Sequence, residues 1–570
     1  MSLFGAIQLG GNTLRAMQIG LHVVGNNIAN ANTPGFVRQE AVFVPAPVMR
    51  QGNLILGLGV MVDSIIQKVD QFVLDRLAGA RSDRAGAEVQ EETYRDLEVL
   101  LNELSADGDL SGALTGFFNA VDEVLKDPSN VATRNLAVGK GEALTENIAS
   151  IYDRVAVLRN ETNERVSAMV NEVNSLTEEI RRLNVQISSM EGGDTSNSAA
   201  GAFRVQRQEA VNRLSELIGI HVEEQPSGGL SVAVGGDFLV FEAQRRQVQL
   251  TTPSNENGLA NAIRFVDTKA VLQVGSGELH GLYAARDEIL GGVLNGLDNF
   301  SATMAFEFNK AYSQGQGLVG FTELTSNYHV SDPDLVLDEA GLPFAPVNGA
   351  FDVIIHNKRN GLNEVKTHTI SVDLNGFGDD TTLNSLATQL DAIDGLTASV
   401  TSTGELVLQA ESSDIQFAFA KDSSGALAAL GLNTFFTGSS ATTLGVNDGL
   451  KGIENASKFA ASLDGIAGGS RNAEILAAFL DAPLEAAGNA SLSDLYDQVI
   501  NEVTQGASIA QSVAEGFRVF EGTLEGQNQA ISGVSLDEEA IKMITLQRIY
   551  QASARYIQTV SDLLDLLVKL

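Results

Sequence analysis

Gly25-Asn26-Asn27-Ile28-Ala29-Asn30-Ala31-Asn32-Thr33-Pro34-Gly35-Phe36-Val37-Arg38-Gln39 closes an apolar helical line and begins something extended. Asparagine tolerates left-handed backbone and bonds its own neighbours, proline cannot continue a helix, and glycine supplies positive φ, so this run ends a helix rather than sitting inside one. Before it, Ile7, Leu14, Met17, Leu21, Val24 and Ile28 step by threes and fours, with Gly10 the interruption. That period belongs to helices that pack on helices. After it, Pro45, Pro47, Gly52, Gly57 and Gly59 punctuate residues 36–68 too often for a helix, and the apolar runs between them read as extended or hairpin structure.

The far end of the chain repeats the first pattern. Met543, Leu546, Tyr550, Ile557, Val560, Leu564 and Leu567 take the same steps, interrupted at Ser553. Ser535 and Glu538 fit a capping box at the start of this helix, and Asp537, Glu538 and Glu539 put negative charge at its positive end. Chain ends are ordinarily dispensable. Here each would expose an apolar line unless something covered it, so both ends read as assembly surfaces, covered by each other or by neighbouring copies.

Between the ends, helix and strand alternate in blocks. From Asp70 to Ile218 the pattern is helical, and Val166, Met169, Val173, Leu176, Ile180, Leu183, Ile187 and Met190 form an unbroken line. Such a line is either one face of a globular core or a coiled-coil seam. A loop at residues 191–201 turns it back as a helical hairpin. His221–Gln225, Leu230–Val234, Phe238–Ala243, Gln247–Thr252 and Ile263–Val266 are strand-length runs separated by turns, a small antiparallel subdomain. Helical pattern resumes from Leu282 to Tyr312. Residues 323–450 are β-rich around one short helix near Leu383–Ile393, and helical pattern runs from Ile453 to the end.

The expected fold is therefore multidomain α plus β: coiled-coil-like terminal helices forming a shared helical stalk, with β-rich domains inserted. The parts are 1–68 with 536–570 as a terminal assembly domain, 69–220 with 281–322 and 451–535 as helical stalk, 221–280 as the small β-subdomain and 323–450 as an outer domain.

Composition narrows the function. The chain has 570 residues, 37 Lys plus Arg against 72 Asp plus Glu, and a net charge of −35, which opposes binding to nucleic acid or an anionic membrane. Only Arg15, Arg38 and Glu40 are charged in the first forty residues. No cysteine occurs, so disulfides, thiolate metal sites and cysteine nucleophiles are excluded. Neither a cleavable signal peptide nor a spanning apolar run is legible, which leaves cytoplasmic residence or export through an uncleaved N-terminus. The match to a dinucleotide loop, Gly315-Gln316-Gly317-Leu318-Val319-Gly320, follows a helix rather than a strand and reads as a flexible loop. The six histidines lack metal-pair spacing, and the acidic pairs Asp332/Asp334 and Asp379/Asp380 lack the ligand pattern of a calcium loop. No catalytic residue, metal or cofactor is expected.

Ser2-Leu3-Phe4 leading into the first apolar line, followed by Asn26-Asn27-Ile28-Ala29-Asn30-Ala31-Asn32-Thr33-Pro34-Gly35-Phe36, resembles the N-terminal signature of the bacterial flagellar rod, hook and hook-associated proteins. Val37-Arg38-Gln39, Ser532-Gly533-Val534-Ser535-Leu536-Asp537-Glu538-Glu539-Ala540 and Tyr550-Gln551-Ala552-Ser553-Ala554-Arg555 are similar to the hook-associated members at the hook-filament junction. So are Gly277-Glu278-Leu279-His280-Gly281-Leu282, Arg286-Asp287 and Phe308-Asn309, while Tyr312 stands where that family commonly has histidine. The resemblance implies a non-enzymatic, extracellular flagellar subunit exported by the type III route without cleavage. It implies as partners further copies in a helical ring, the hook protein, hook-associated protein 3 on the filament side and an export chaperone. The hook protein is the nearest alternative within the class, and a secreted binding protein with an assembly stalk is the alternative outside it. The helical pattern ahead of the first β-subdomain favours the junction member. The residues expected to form the assembly interface are those of the two apolar lines together with Asn26, Asn27, Asn30, Asn32, Pro34 and Gly35.

Overall fold

The computed structural model describes residues 3–33, 35–51, 54–102, 110–191, 200–251, 261–358 and 364–569. The helices are α1 (Leu3–Ala29), α2 (Gln71–Asn102), α3 (Leu110–Lys126), α4 (Val131–Glu191), α5 (Gly201–Leu217), α6 (Glu278–Ala284) and α7 (Leu290–Tyr312). They continue with α8 (Leu383–Asp391), α9 (Ala426–Leu430), α10 (Arg471–Ala477), α11 (Leu492–Ser532) and α12 (Leu536–Lys569). Strands alternate with them, so the chain is mixed α and β. It packs as two compact units, Met1–Thr93 with Asn160–Glu288 and Ser508–Leu570, and Tyr94–Arg159 with Ile289–Ala507. Each of α2, α4 and α11 contributes to both units, which is why unit boundaries fall inside helices and not at the loops that the sequence marks.

In the first unit, Gln39–Pro45 pairs antiparallel with Val60–Gln67, and Val48–Gln51 with Leu54–Gly57. These are the extended residues that the Gly and Pro spacing predicts. Strands His221–Glu224, Leu230–Val234, Asp237–Phe241 and Gln244–Arg245 follow one another in a four-stranded sheet, with Val248–Thr251 paired to Ala262–Phe265 beside it. The line from Val166 to Ile187 packs into this subdomain: Val166, Val173 and Ile180 join Val232, Val240, Ile263 and Phe265 in one core. At this place the line is a globular face, and Met190 at its end is exposed. Asn184, buried on α4, donates to the carbonyls of Leu230 and Glu242 and accepts from the Leu230 amide, so one amide side chain pins the Leu230 strand and the turn at Glu242 to the helix.

Helix α6 carries the Gly277-to-Leu282 motif. A Cβ on Gly281 would lie 2.4 Å from the carbonyl oxygen of Gly86, so α6 and α2 approach to a distance that only glycine permits. Arg286, in the π turn Ala285–Ile289, bonds Asp287, Asn163 and the Asn261 carbonyl.

The second unit is built around an aromatic core in which Phe117 touches Phe118, Phe308, Phe435 and Phe436 at centroid separations of 5.0–5.6 Å. Asn309, next to Phe308, accepts from the Phe435 and Phe436 amides and donates to the Phe436 carbonyl. Tyr312 is fully buried, its hydroxyl accepting from the Ala460 amide, and burial raises its pKa. Two three-stranded sheets form the β-rich part: Gly349–Asn357 lies between Glu364–Val372 and Ile415–Ala420, and Leu406–Ala410 lies between Glu323–Thr325 and Leu396–Val400.

Two expectations need correction. Residues 453–491 are not continuous helix: they hold α10 and three 3₁₀ turns, because Gly452, Gly465, Gly468, Gly469, Pro483 and Gly488 interrupt every run long enough to form one. The Gly315–Gly320 segment is not loose. It is largely buried, Gln316 and Ser462 exchange backbone hydrogen bonds, and a Cβ on Gly317 would meet the Ser457 carbonyl at 2.7 Å.

Candidate assembly site

The first and last helices pack against each other. A Cβ placed on Gly10 would lie 2.5 Å from Cγ1 of Ile557, and one on Gly20 would lie 3.1 Å from Leu546. Asn27 meets Glu539. Residue numbers rise along α1 as they fall along α12, so the pair is antiparallel and lies within one chain. α1, at 27 residues, spans about 40 Å. Gly10, an interruption in the sequence pattern, is where the Ile557 side chain packs directly on the α1 backbone.

The apolar line of α1 divides by depth. Met17 and Val24 are buried; Ile7, Leu14, Leu21 and Ile28 are half-buried. On α12, Val560 is buried, Met543, Leu546, Ile557 and Leu564 are half-buried, and Tyr550 is 38 % exposed. Pro34 and the Leu567 side chain lie outside the described residues. Phe43, from the strand Gln39–Pro45, reaches the α1 backbone at Gly20, so the hairpin supports the same helix.

At the inner end of the pair sits a buried polar cluster. Asn27 Nδ2 donates to the Gln39 carbonyl at 2.8 Å and to Glu539 Oε2 at 3.0 Å, while Asn27 Oδ1 accepts from the Gln39 amide. Arg38 Nε donates to Glu539 Oε1 at 3.0 Å, and its Nη2 lies 2.9 Å from Glu538 Oε2. Glu539 is 1 % exposed, yet both carboxylate oxygens are bonded. A buried carboxylate is tolerable when so partnered. Asn27 thus holds the start of the strand and the start of α12 at once. Asn30 bends back on Asn26, donating to its carbonyl and to Oδ1, and Asn26 lies 3.5 Å from Gln39 Oε1. Asn32 is exposed, and so is Gly35 at φ +71°. At the α12 start the Glu538 amide lies 3.5 Å from Ser535 Oγ, while the Glu538 carboxylate turns to Arg38 instead of back to the cap. Nothing local in the sequence pairs Arg38 with Glu539, which there counts only as helix-end charge.

A second line on α12 borders the contact with α1, where Tyr556 Cδ1 lies 3.5 Å from the position of a Cβ on Gly10. Ile549, Ala552, Tyr556, Thr559, Leu563 and Leu566 step by three and four, all exposed, with Leu563 51 % and Leu566 61 % open. Elsewhere in this unit a cleft of about 1050 Å³ is lined by Arg81, Arg204, Glu224 and Glu521 among others. Its charges pair with one another, Arg81 with Glu521 and Arg204 with Glu224. Among the described residues no group of His, Cys, Asp or Glu is placed to hold a metal ion, and no helix is long and apolar enough to cross a membrane.

The two ends join as one helical pair, with an Asn-rich turn tying the second helix to the first, and it is these ends that match models of axial proteins of the bacterial flagellum. The family models agree: residues 7–36 match the flagella basal body rod protein and residues 526–570 the flagellar basal body rod FlgEFG protein C-terminal region. Residues 94–324 match the flagellar hook-associated protein FlgK helical domain. The chain is 23% identical to flagellar hook-associated protein 1 of Salmonella typhimurium and 22% identical to that of Escherichia coli, with 98% of both chains covered in each case. To the Bacillus subtilis protein of the same name it is 25% identical over 55% of this chain and 68% of that one. A flagellar hook junction protein structure, FlgK from Burkholderia pseudomallei, shares the fold at TM-score 0.50 and 14% identity, covering 80% of this chain and all of the other.

Proposed function

We propose that this chain is a structural subunit of the hook-filament junction of the bacterial flagellum, assembling at the distal end of the hook through its paired terminal helices. The observation that carries this reading is the α1–α12 pair: it satisfies its own first seam and polar cluster, yet leaves the Ile549-to-Leu566 line open. An unpaired line of that length suits burial by a neighbouring copy, and head-to-tail contacts of one surface with another build open helical arrays. The mixed α and β middle of the chain is decoration on this assembly domain, with the β-rich residues 323–450 as its outer part. No catalysis is required.

Partners are other axial flagellar proteins: the hook protein on one side and hook-associated protein 3 on the filament side, with a chaperone at the C-terminal helix before export. Export is by the flagellar type III route, without a cleaved signal peptide, and the subunit works outside the cell. A charge-poor α1 is suited to passage as unfolded chain.

The test is complementation of a strain lacking its junction protein. The wild-type gene restores filaments. The triple change Leu14→Asp, Leu21→Asp, Ile28→Asp leaves bare hooks and flagellin in the medium. Filaments of normal length on the triple variant would refute the assembly role of α1.

A further inference from the structure

Three Asn-Gly pairs lie among the described residues, Asn295-Gly296, Asn348-Gly349 and Asn375-Gly376. An asparagine ahead of glycine can close on itself, because no side chain shields the glycine nitrogen from the Cγ that precedes it. The fold withholds that reaction from two of the pairs. Asn295 and Gly296 lie inside α7, where the helix fixes the backbone and commits its amides. Gly349 opens the strand Gly349–Asn357, opposite Val372, and Asn348 Oδ1 is taken by the Leu374 amide at 3.0 Å.

Asn375 is placed differently. It is exposed, in the loop between the strand Glu364–Val372 and α8, and Gly376 stands at φ +75° with nothing within 4 Å of where a Cβ would be. The Gly376 amide donates to Asp380 Oδ1 at 3.2 Å, and the Phe377 amide donates to Asn375 Oδ1 at 2.7 Å. A side chain bonded to the amide two residues on folds over the peptide between them, and that peptide holds the nucleophile. A carboxylate therefore lies on the proton that must leave, and an N–H lies on the oxygen where negative charge develops. Below this tip the loop is closed by the Thr381 amide on the Asp373 carbonyl at 2.7 Å and the Asp373 amide on Thr381 Oγ1 at 2.9 Å.

We infer that this loop is a self-modifying site at which Asn375 is converted to aspartate and isoaspartate. The Gly376 nitrogen bonds to Cγ of Asn375 as its proton passes to Asp380, and the Phe377 amide holds the Oδ1 oxyanion. The Cγ–Nδ2 bond then breaks, Asp380 gives the proton to the leaving nitrogen, and ammonia departs from a cyclic imide. Water adds to either imide carbonyl and opens the ring, so the sum is amide plus water to carboxylate plus ammonium, with Asp380 regenerated. The product places a new negative charge beside Phe377, which is 84 % exposed, and isoaspartate carries an extra carbon in the main chain. The surface of the β-rich part of the second unit thus changes with the age of the chain.

The experiment holds the full chain at neutral pH and physiological temperature, native and in urea. Digests taken over time are read by mass spectrometry, which scores amide-to-acid conversion at each asparagine, with electron-transfer fragmentation to separate isoaspartate from aspartate. Expected: in the native chain Asn375 converts about tenfold faster than Asn348 and Asn295, and in urea the three converge. Asp380→Asn keeps the size of the side chain and an acceptor oxygen but removes the base, and slows Asn375 about tenfold while Asn348 and Asn295 keep their rates. Asp380→Glu restores a carboxylate and recovers conversion above that of the Asp380→Asn chain. The inference is overturned by native Asn375 no faster than Asn348, by a lead that persists in urea, or by Asp380→Asn converting at the wild-type rate. A variant in which Asn348 also accelerates has lost the loop, and the wild-type comparison between native and urea conditions then decides.

Discussion

Asn27 and Glu539, 512 residues apart in the chain, share a buried hydrogen bond of 3.0 Å at one end of a largely apolar helical seam. A single buried polar pair in such a seam fixes orientation and register, because every displaced alignment leaves a carboxylate in apolar surroundings without partners. Apolar contacts alone would let α12 slide by a heptad along α1.

Replacing Asn27 by Ala removes that bond and both bonds to Gln39. The terminal pair is expected to lose about 2–3 kcal/mol, the scale of a hydrogen bond to a buried charged group. Hydrogen exchange of α12 amides measures it: protection falls across α12 while the amides of α7 stay as in wild type. Equal loss in both places would mean that Asn27 has no special tie to α12.

Gly10→Ala places a methyl 2.5 Å from Ile557 Cγ1, and the helices must separate. An overpacked contact of this kind costs about 1–3 kcal/mol. Combining it with Ile557→Ala removes the opposing atom and recovers part of the loss. Thermal melts of the single and double variants check the coupling, and strictly additive losses would count against the contact.

Phe117→Ala empties the centre of the aromatic core of the second unit, where Phe117 is fully buried. A cost of about 3–5 kcal/mol is expected, read from urea unfolding. The exchange protection of α12 is the internal control, since its packing lies in the other unit.

His356 is buried with Nε2 unpartnered, and burial, with the Lys358 charge adding, holds its pKa below the ordinary imidazole value of 6.5. A folded-state pKa below the unfolded one means that the unfolded chain takes up the proton first. The stabilising contribution is complete above pH 6.5 and is lost as pH falls toward the folded-state value. His356→Leu is expected to flatten the fall in melting temperature between pH 7.5 and 5, and an unchanged slope would assign that fall to other groups.

How much of this could be read from sequence depends on how far away each residue's partner lies. Periodicity is local, so the helical lines of Ile7 to Ile28 and Met543 to Leu564 are legible, as are the turns that divide residues 221–266 into strands. Glu539 is different: nothing near it in sequence says that it is buried, because its partners Asn27 and Arg38 come from the other end of the chain. Gly10 looks like a flaw in a heptad for the same reason, since what it accommodates is Ile557. Residues 453–491 mislead in the opposite sense: their alanines and leucines favour helix locally, while the glycines and Pro483 stop it. The Val166-to-Ile187 line shows the limit of periodicity itself, which gives the face of a helix and not what covers it.

The antiparallel closure of α1 on α12 has a consequence for biosynthesis. Helix α1 leaves the ribosome hundreds of residues before its mate, and a contact of such sequence separation forms late. A chain cut anywhere short of Glu539 has the first helix and its supporting hairpin but lacks the helix that closes the seam. The two ends therefore certify one another: only a chain translated through to its last helix possesses the closed α1–α12 pair, and prematurely terminated products go without it.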